Sequence, residues 1–240
     1  MNPRILMPAL ESIKECVDIP VTYFRAFTEP QVLVAINQYI RETNYTHYIM
    51  CGDDAIFTRK AVDCVLKYTE DESYDVFTGW MNMHIEDNGN FSRESTVCFG
   101  RLPPIADEGW GPERDEYPPW VSMETMARYK MREEPLRTAY ANFALTGMKR
   151  EMWLKYPVMT HPRGNSSDHQ LSYRLQSGGI EVWTHPDAFI THLRRGWTPL
   201  LKQWLVGNQT PEIIETQRQW GKREDSVSYT HLTLPTIYSV

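Results

Sequence analysis

Residues 48–57 read YIMCGDDAIF. The apolar run Tyr48–Cys51 stops at the adjacent carboxylates Asp53 and Asp54, and apolar residues resume at Ala55. This run, closed by Gly-Asp-Asp, belongs to a predicted buried strand, Thr46–Cys51, whose carboxyl end opens into a turn. The flanking stretches follow suit. Upstream, Glu29–Glu42 has Pro30 near its first turn and Leu33, Ile36 and Ile40 at helical spacing. Downstream, Thr58–Tyr68 offers Thr58 as an N-cap and Ala61, Val62, Val65 and Leu66 on one face, and Tyr74–Met81 reads as the next strand. Arg4–Pro8 and Val21–Phe27 read as two earlier strands, joined by a connection too short for a long helix. This order predicts an α/β domain with a central, mainly parallel mixed sheet flanked by helices.

The middle of the chain changes character. From Glu86 to Pro135 it is rich in Gly, Pro, acids and aromatics, as in LPPIADEGWGPERDEYPPW, and reads as an irregular lid or binding insertion. Order is expected again at Tyr140–Gly147, in a helix from Lys149 to about Tyr156, in a second helix over Asp168–Gln176 ended by Gly178-Gly179, and in a strand at Ile180–His185. Near the end, Val227–Thr236 (VSYTHLTLPT) resembles the in-frame translation of a sequencing adapter. Residues 1–226 are therefore expected to form the domain and 227–240 a non-native tail.

A chain of 240 residues, 41% hydrophobic, suffices for a sizeable core. A formal net charge of -6 without clustered Lys/Arg argues against a nucleic-acid-binding face. Cys16, Cys51, Cys64 and Cys98 have no C-x-x-C or zinc spacing and read as small buried residues of a reducing compartment. No run reaches the ~18 apolar residues of a membrane span, so a cytoplasmic protein is expected, with surface contact to a membrane left open.

Adjacent carboxylates at a strand end repel one another, and burying them unpaired is costly. Two readings follow. Either the turn is solvated, or a divalent cation resolves both penalties, in which case hard oxygen ligands suit magnesium or manganese.

The second half bears on that choice through FALTGMKREMWL, then NSSDHQLSYRL, then GGIEVWTHPDAFITHL. Together with YIMCGDDAIF, these segments resemble the GT-A glycosyltransferases, in particular the inverting family-2 type, over about residues 4–195. The resemblance rests on a strand-end acid motif, a Gly-containing turn with a basic pair and a helix (Thr146–Glu151), an acid opening a helix (Ser167-Asp168), and a later strand and His192. It implies an enzyme that moves a sugar from a nucleotide-diphosphate donor to a hydroxyl of a glycan, lipid or other acceptor, with inversion. Asp54, helped by Asp53 and His192, would hold Mn2+ or Mg2+, and Asp168 would be the general base. Pro8, Ala9 and Arg25 would face the nucleotide, Arg194 and Arg195 its phosphates. Thr146, Gly147 and Trp120 would face the sugars.

Two positions depart from the family pattern. Gly52 stands where the first acid of the strand-end motif is expected, and Ser167 leaves Asp168 as a single carboxylate. Two other readings stay open: a degenerate nucleotide-sugar or glycan-binding module, which Gly52 favours, and a nucleotidyltransferase, which the lack of a Gly-rich loop after Met7-Pro8-Ala9 disfavours.

Overall fold

A computed structural model describes residues 12–16, 19–24, 29–52, 55–87, 90–96, 121, 123–160, 167–192 and 236–239; the account below is confined to these. After a short helix, α1 (12–16), and strand β1 (Val21–Tyr23) comes α2 (Glu29–Glu42), and then β2 (His47–Cys51), whose residues from Tyr48 onward are wholly buried. The pair β3 (Ala55–Ile56) leads into α3 (Arg59–Glu70). Thr58 caps α3 as its sequence predicts: it is extended, and its hydroxyl accepts the Ala61 N–H at 3.2 Å. Helix α3 lays Ala61, Val62, Val65 and Thr69 on the sheet and returns the chain to β4 (Val76–Thr78).

The remaining elements are β5 (Asn82–Asp87), β6 (Asn90–Thr96), α4 (Met123–Arg132), β7 (Leu136–Thr138), β8 (Leu145–Lys149), α5 (Arg150–Lys155), α6 (Ser167–Ser177), β9 (Val182–Thr184), β10 (Thr191–His192) and β11 (Thr236–Ser239). The stretch read as irregular thus contains a strand and a helix. β5 and β6 form a separate antiparallel ribbon, which needs backbone pairing but no continuous apolar run, and α4 buries Met126 completely.

The main sheet has the order β1-β11-β2-β8-β4-β9-β7. Helices flank it, so the molecule is a mixed α/β protein. The expectation of a mainly parallel sheet is corrected: only β4 and β9 are parallel neighbours, and every other adjacent pair is antiparallel. The cause is insertion. The crossover through α3 does leave β2 and β4 running the same way, but β8 enters between them from much later in the chain and is antiparallel to both. Residues 236–239, part of the tail set apart in the sequence, form β11 between β1 and β2.

Gly147 marks the centre of this sheet, paired with Ile49 on one side and Phe77 on the other. A Cβ there would overlap Thr69 Oγ1 and lie 3.0 Å from its Cγ2, so the glycine is what lets α3 rest on β8. Gly147→Ala is expected to destabilise the fold by about 2 kcal/mol through overpacking, measured by urea unfolding. Adding Thr69→Ala should return most of that loss; a Gly147→Ala chain as stable as the parent would refute the contact.

Two side chains lock the second core layer. Trp153 of α5 is buried and donates its indole N–H to Tyr48 O at 3.0 Å. Arg150 reaches across to the end of α2, donating from Nε to Ile40 O and Thr43 O and from its terminal nitrogen to Arg41 O. A guanidinium over the orphan carbonyls of a helix C-terminus both satisfies them and opposes the negative end of the dipole. At the other end of this half, α6 stops at Gly179, whose φ of 71° is a left-handed conformation that glycine tolerates.

Candidate functional site

The carboxyl ends of β2 and β4 meet the segment 140–144 and the first turn of α6. At the end of β2, Gly52 donates its N–H to Ala144 O at 3.0 Å. Asp53 and Asp54 follow and lie outside the described residues, as do Pro8, Ala9, Arg25, Trp120, Arg194 and Arg195. The chain is described again at Ala55 in β3. There it pairs with β10, setting Thr191 opposite Ile56 and His192 opposite Ala55. His192 is thereby placed by register opposite Ala55, although the two are well over a hundred positions apart in sequence.

What carries β10 to that position is the path through Trp80. Just beyond β4, Trp80 donates its backbone N–H to Ala188 O at 3.0 Å and accepts from Ile190 N at 2.8 Å. Its indole, fully buried and 4.9 Å from the Phe189 ring, donates to Pro186 O at 3.2 Å. Gly79 allows the close approach, since a Cβ on it would sit 3.0 Å from both Ala188 O and Leu145 Cβ.

Asn142 is the hub of the segment facing Gly52. Its Nδ2 donates to Thr78 Oγ1 at 3.0 Å and to Gly79 O, and its Oδ1 accepts the N–H groups of Ala144 and Leu145 at 3.1 and 3.2 Å. A buried amide that satisfies four groups in this way fixes the turn that presents Ala144 O to Gly52.

Asp168 stands in the first turn of α6 and is half-buried. Its Oδ2 accepts the Tyr140 hydroxyl and its Oδ1 the His169 N–H at 2.8 Å. Behind it, Ser172 donates to Asp168 O at 2.7 Å and accepts from Ala141 N at 3.0 Å, so α6 and segment 140–144 are joined at two levels. The His169 ring stands edge-on to Tyr140, with centroids 5.1 Å apart. Thus a carboxylate with donors on both oxygens is linked through segment 140–144 to the end of β2, while β3 and β10 pair in a separate two-stranded sheet.

Thr146 and Gly147 do not join them. Expected in a turn beside a sugar, they lie instead in the middle of β8 and are buried, with Thr146 Oγ1 donating to Asn142 O and paired with Thr78 Oγ1 at 2.8 Å. The error has a physical source: Gly147 reads as turn punctuation, whereas its absence of a side chain serves the packing of Thr69. Tyr140, Asn142 and Trp80, which the sequence reading did not assign to the site, hold it together; single polar residues in a non-periodic segment carry no pattern that announces them.

The described cysteines Cys16, Cys51 and Cys64 are free thiols. Burial pushes Cys16 up to about 11 and Cys64 up to about 12, so both stay protonated and unreactive at neutral pH. Among the described residues, no three His, Cys, Asp or Glu side chains form a metal-binding group, and no helix is long and apolar enough to cross a membrane.

His47, His169 and His185 are all held below the ordinary histidine value, in each case chiefly by burial. For His185 the geometry agrees: Asp187 N donates to its Nδ1 at 3.0 Å, which requires that nitrogen unprotonated. Nearby, burial raises the Asp187 carboxyl, but Lys60 at 2.8 Å and Lys130 at 3.5 Å outweigh it and hold the group below the usual carboxylate range. Histidines neutral in the fold take up protons more readily once unfolded, so their contribution is present above about pH 6.5 and lost as pH falls through that value. The urea midpoint should therefore drop between about pH 7.5 and about pH 5, and His185→Gln should flatten that slope. A midpoint unchanged or rising on acidification would contradict the burial of neutral imidazoles.

Compared with known proteins, the chain matches no family model, and no curated protein matches it.

Proposed function

We propose that this protein is an inverting glycosyltransferase of the GT-A type, using a nucleotide-diphosphate sugar as donor and a hydroxyl as acceptor. The observation that carries the reading is the β3–β10 register. It sets His192 opposite Ala55, the residue that follows the acid pair in the sequence, and this supports a reading in which the three serve one metal and diphosphate site. Asp168 is tied to the same end of the sheet through segment 140–144.

Two carboxylates and an imidazole are donors whose chemistry suits manganese or magnesium, so Asp53, Asp54 and His192 would hold the ion. Such an ion supplies positive charge to a departing diphosphate. The protein's own contribution centres on Asp168. Each of its oxygens already accepts one hydrogen bond and keeps a second lone pair. That pair takes the proton of the acceptor O–H as the acceptor oxygen bonds to the anomeric carbon. The bond from that carbon to the diphosphate oxygen breaks, and its electron pair leaves with the nucleoside diphosphate. Attack from the face opposite the leaving group gives inversion.

Gly52 donates its N–H to Ala144 O and so links the end of β2 to the segment that carries Tyr140. The proposal is tested by thermal shift with UDP, GDP, CDP, ADP and TDP, each with and without manganese. At least one should raise the melting temperature only with the metal, and Asp54→Ala should erase that increment. No metal-dependent shift with any of the five would remove the main support for the reading.

A further inference from the structure

We infer that Tyr140 is the positioning residue for Asp168, holding the carboxylate in the orientation that proton abstraction needs; this rests on the transferase reading above. Two donors define the carboxylate plane, and they differ in origin. The His169 N–H that holds Oδ1 belongs to α6 and moves with it, whereas the Tyr140 hydroxyl that holds Oδ2 comes from another element. Ser172 joins the backbone of α6 to Ala141, and the Tyr140 hydroxyl joins the Asp168 carboxylate itself to the same segment.

Tyr140 is suited to this. It is 6% exposed, and its backbone N–H is held by Thr138 Oγ1 at 3.3 Å. The next residues are anchored by Ser172 and by the four bonds of Asn142, and the segment ends at Ala144, whose carbonyl holds Gly52. A side chain with two torsions, planted on so restrained a backbone, transmits the position of the acid-bearing strand end to the base. Misplacement of a catalytic group by about 1 Å can cost a hundredfold in rate.

The test combines a double-variant cycle with kinetics on the full chain. In urea, Tyr140→Phe should raise the unfolding equilibrium constant about tenfold when Asp168 is present, and less than about twofold in an Asp168→Ala background, because a hydrogen bond to a charged group is lost only in the first case. Release of nucleoside diphosphate from UDP-, GDP- and TDP-linked hexoses with manganese should show kcat lowered about tenfold to a hundredfold by Tyr140→Phe, with the donor KM unchanged. Equal destabilisation in both backgrounds would overturn the inference. So would a coupled pair whose loss leaves kcat intact, or one that changes only KM. If the unmutated protein releases nucleoside diphosphate from none of the donors, the transferase reading fails and takes this role with it. Turnover that Tyr140→Phe leaves untouched defeats the role alone.

Discussion

Asp168→Asn is expected to lower sugar transfer by about a hundredfold to ten-thousandfold while leaving manganese-dependent nucleoside diphosphate binding unchanged, since a general base contributes on that scale and only to the chemical step. The amide keeps the shape of the side chain and an oxygen that can accept from Tyr140, so the fold should survive. Asp168→Ala should lose activity as well, and in addition stability of about 1–3 kcal/mol, because the hydrogen bond between the largely buried Tyr140 and the carboxylate is lost. Comparing the two substitutions separates chemistry from structure. An Asp168→Asn chain retaining more than about a tenth of parental kcat would remove Asp168 from the role of base.

The second large effect is expected at Trp80. Trp80→Ala removes a fully buried ring and the donor to Pro186 O, and should destabilise by about 3–5 kcal/mol. For a chain of this size that is a fall of about 6–20 °C in melting temperature, measurable by scanning calorimetry. The loss should also reach the site, since Trp80 aligns residues 186–190 and thereby sets β10 against β3. Metal-dependent nucleotide binding is therefore expected to weaken in Trp80→Ala, whereas Trp80→Phe, which keeps the ring contact with Phe189, should lose much less of both. A melting point within about 2 °C of the parent would contradict this account of the core.

These two residues illustrate what was legible in the sequence and what was not. The place of Asp168 at the start of a helix was legible because an acid opening a periodic segment is a local signal, and α6 begins one residue before it. α3 was legible for the same reason, through Thr58 and its apolar stripe. Trp80 was not: its importance lies in partners more than a hundred residues later, and nothing in Thr78-Gly79-Trp80 names Pro186 or Ile190. Likewise, the direction of β8 was hidden. The sequence predicts an ordered stretch at Tyr140–Gly147 but not that a strand beginning at Leu145 slips between β2 and β4, because strand partners are chosen by tertiary packing. Gly147 shows the same limit from the opposite side. A glycine pattern read as a turn became a strand centre once Thr69 was packed over it. Asn142 and Tyr140 escaped notice because a four-bond amide and a tyrosine on a carboxylate depend on geometry that a linear reading of YANFALTG cannot supply.

The central claim is sugar transfer at the end of β2, and product formation tests it most directly. UDP-, GDP- and TDP-linked hexoses, incubated with the protein, manganese and a simple hydroxyl acceptor, can be followed by proton NMR for the anomeric signal of the product. At least one donor is predicted to yield a glycoside of inverted anomeric configuration with stoichiometric release of nucleoside diphosphate, and Asp54→Ala to yield neither. Nucleotide binding without any product, or a product of retained configuration, would contradict the account.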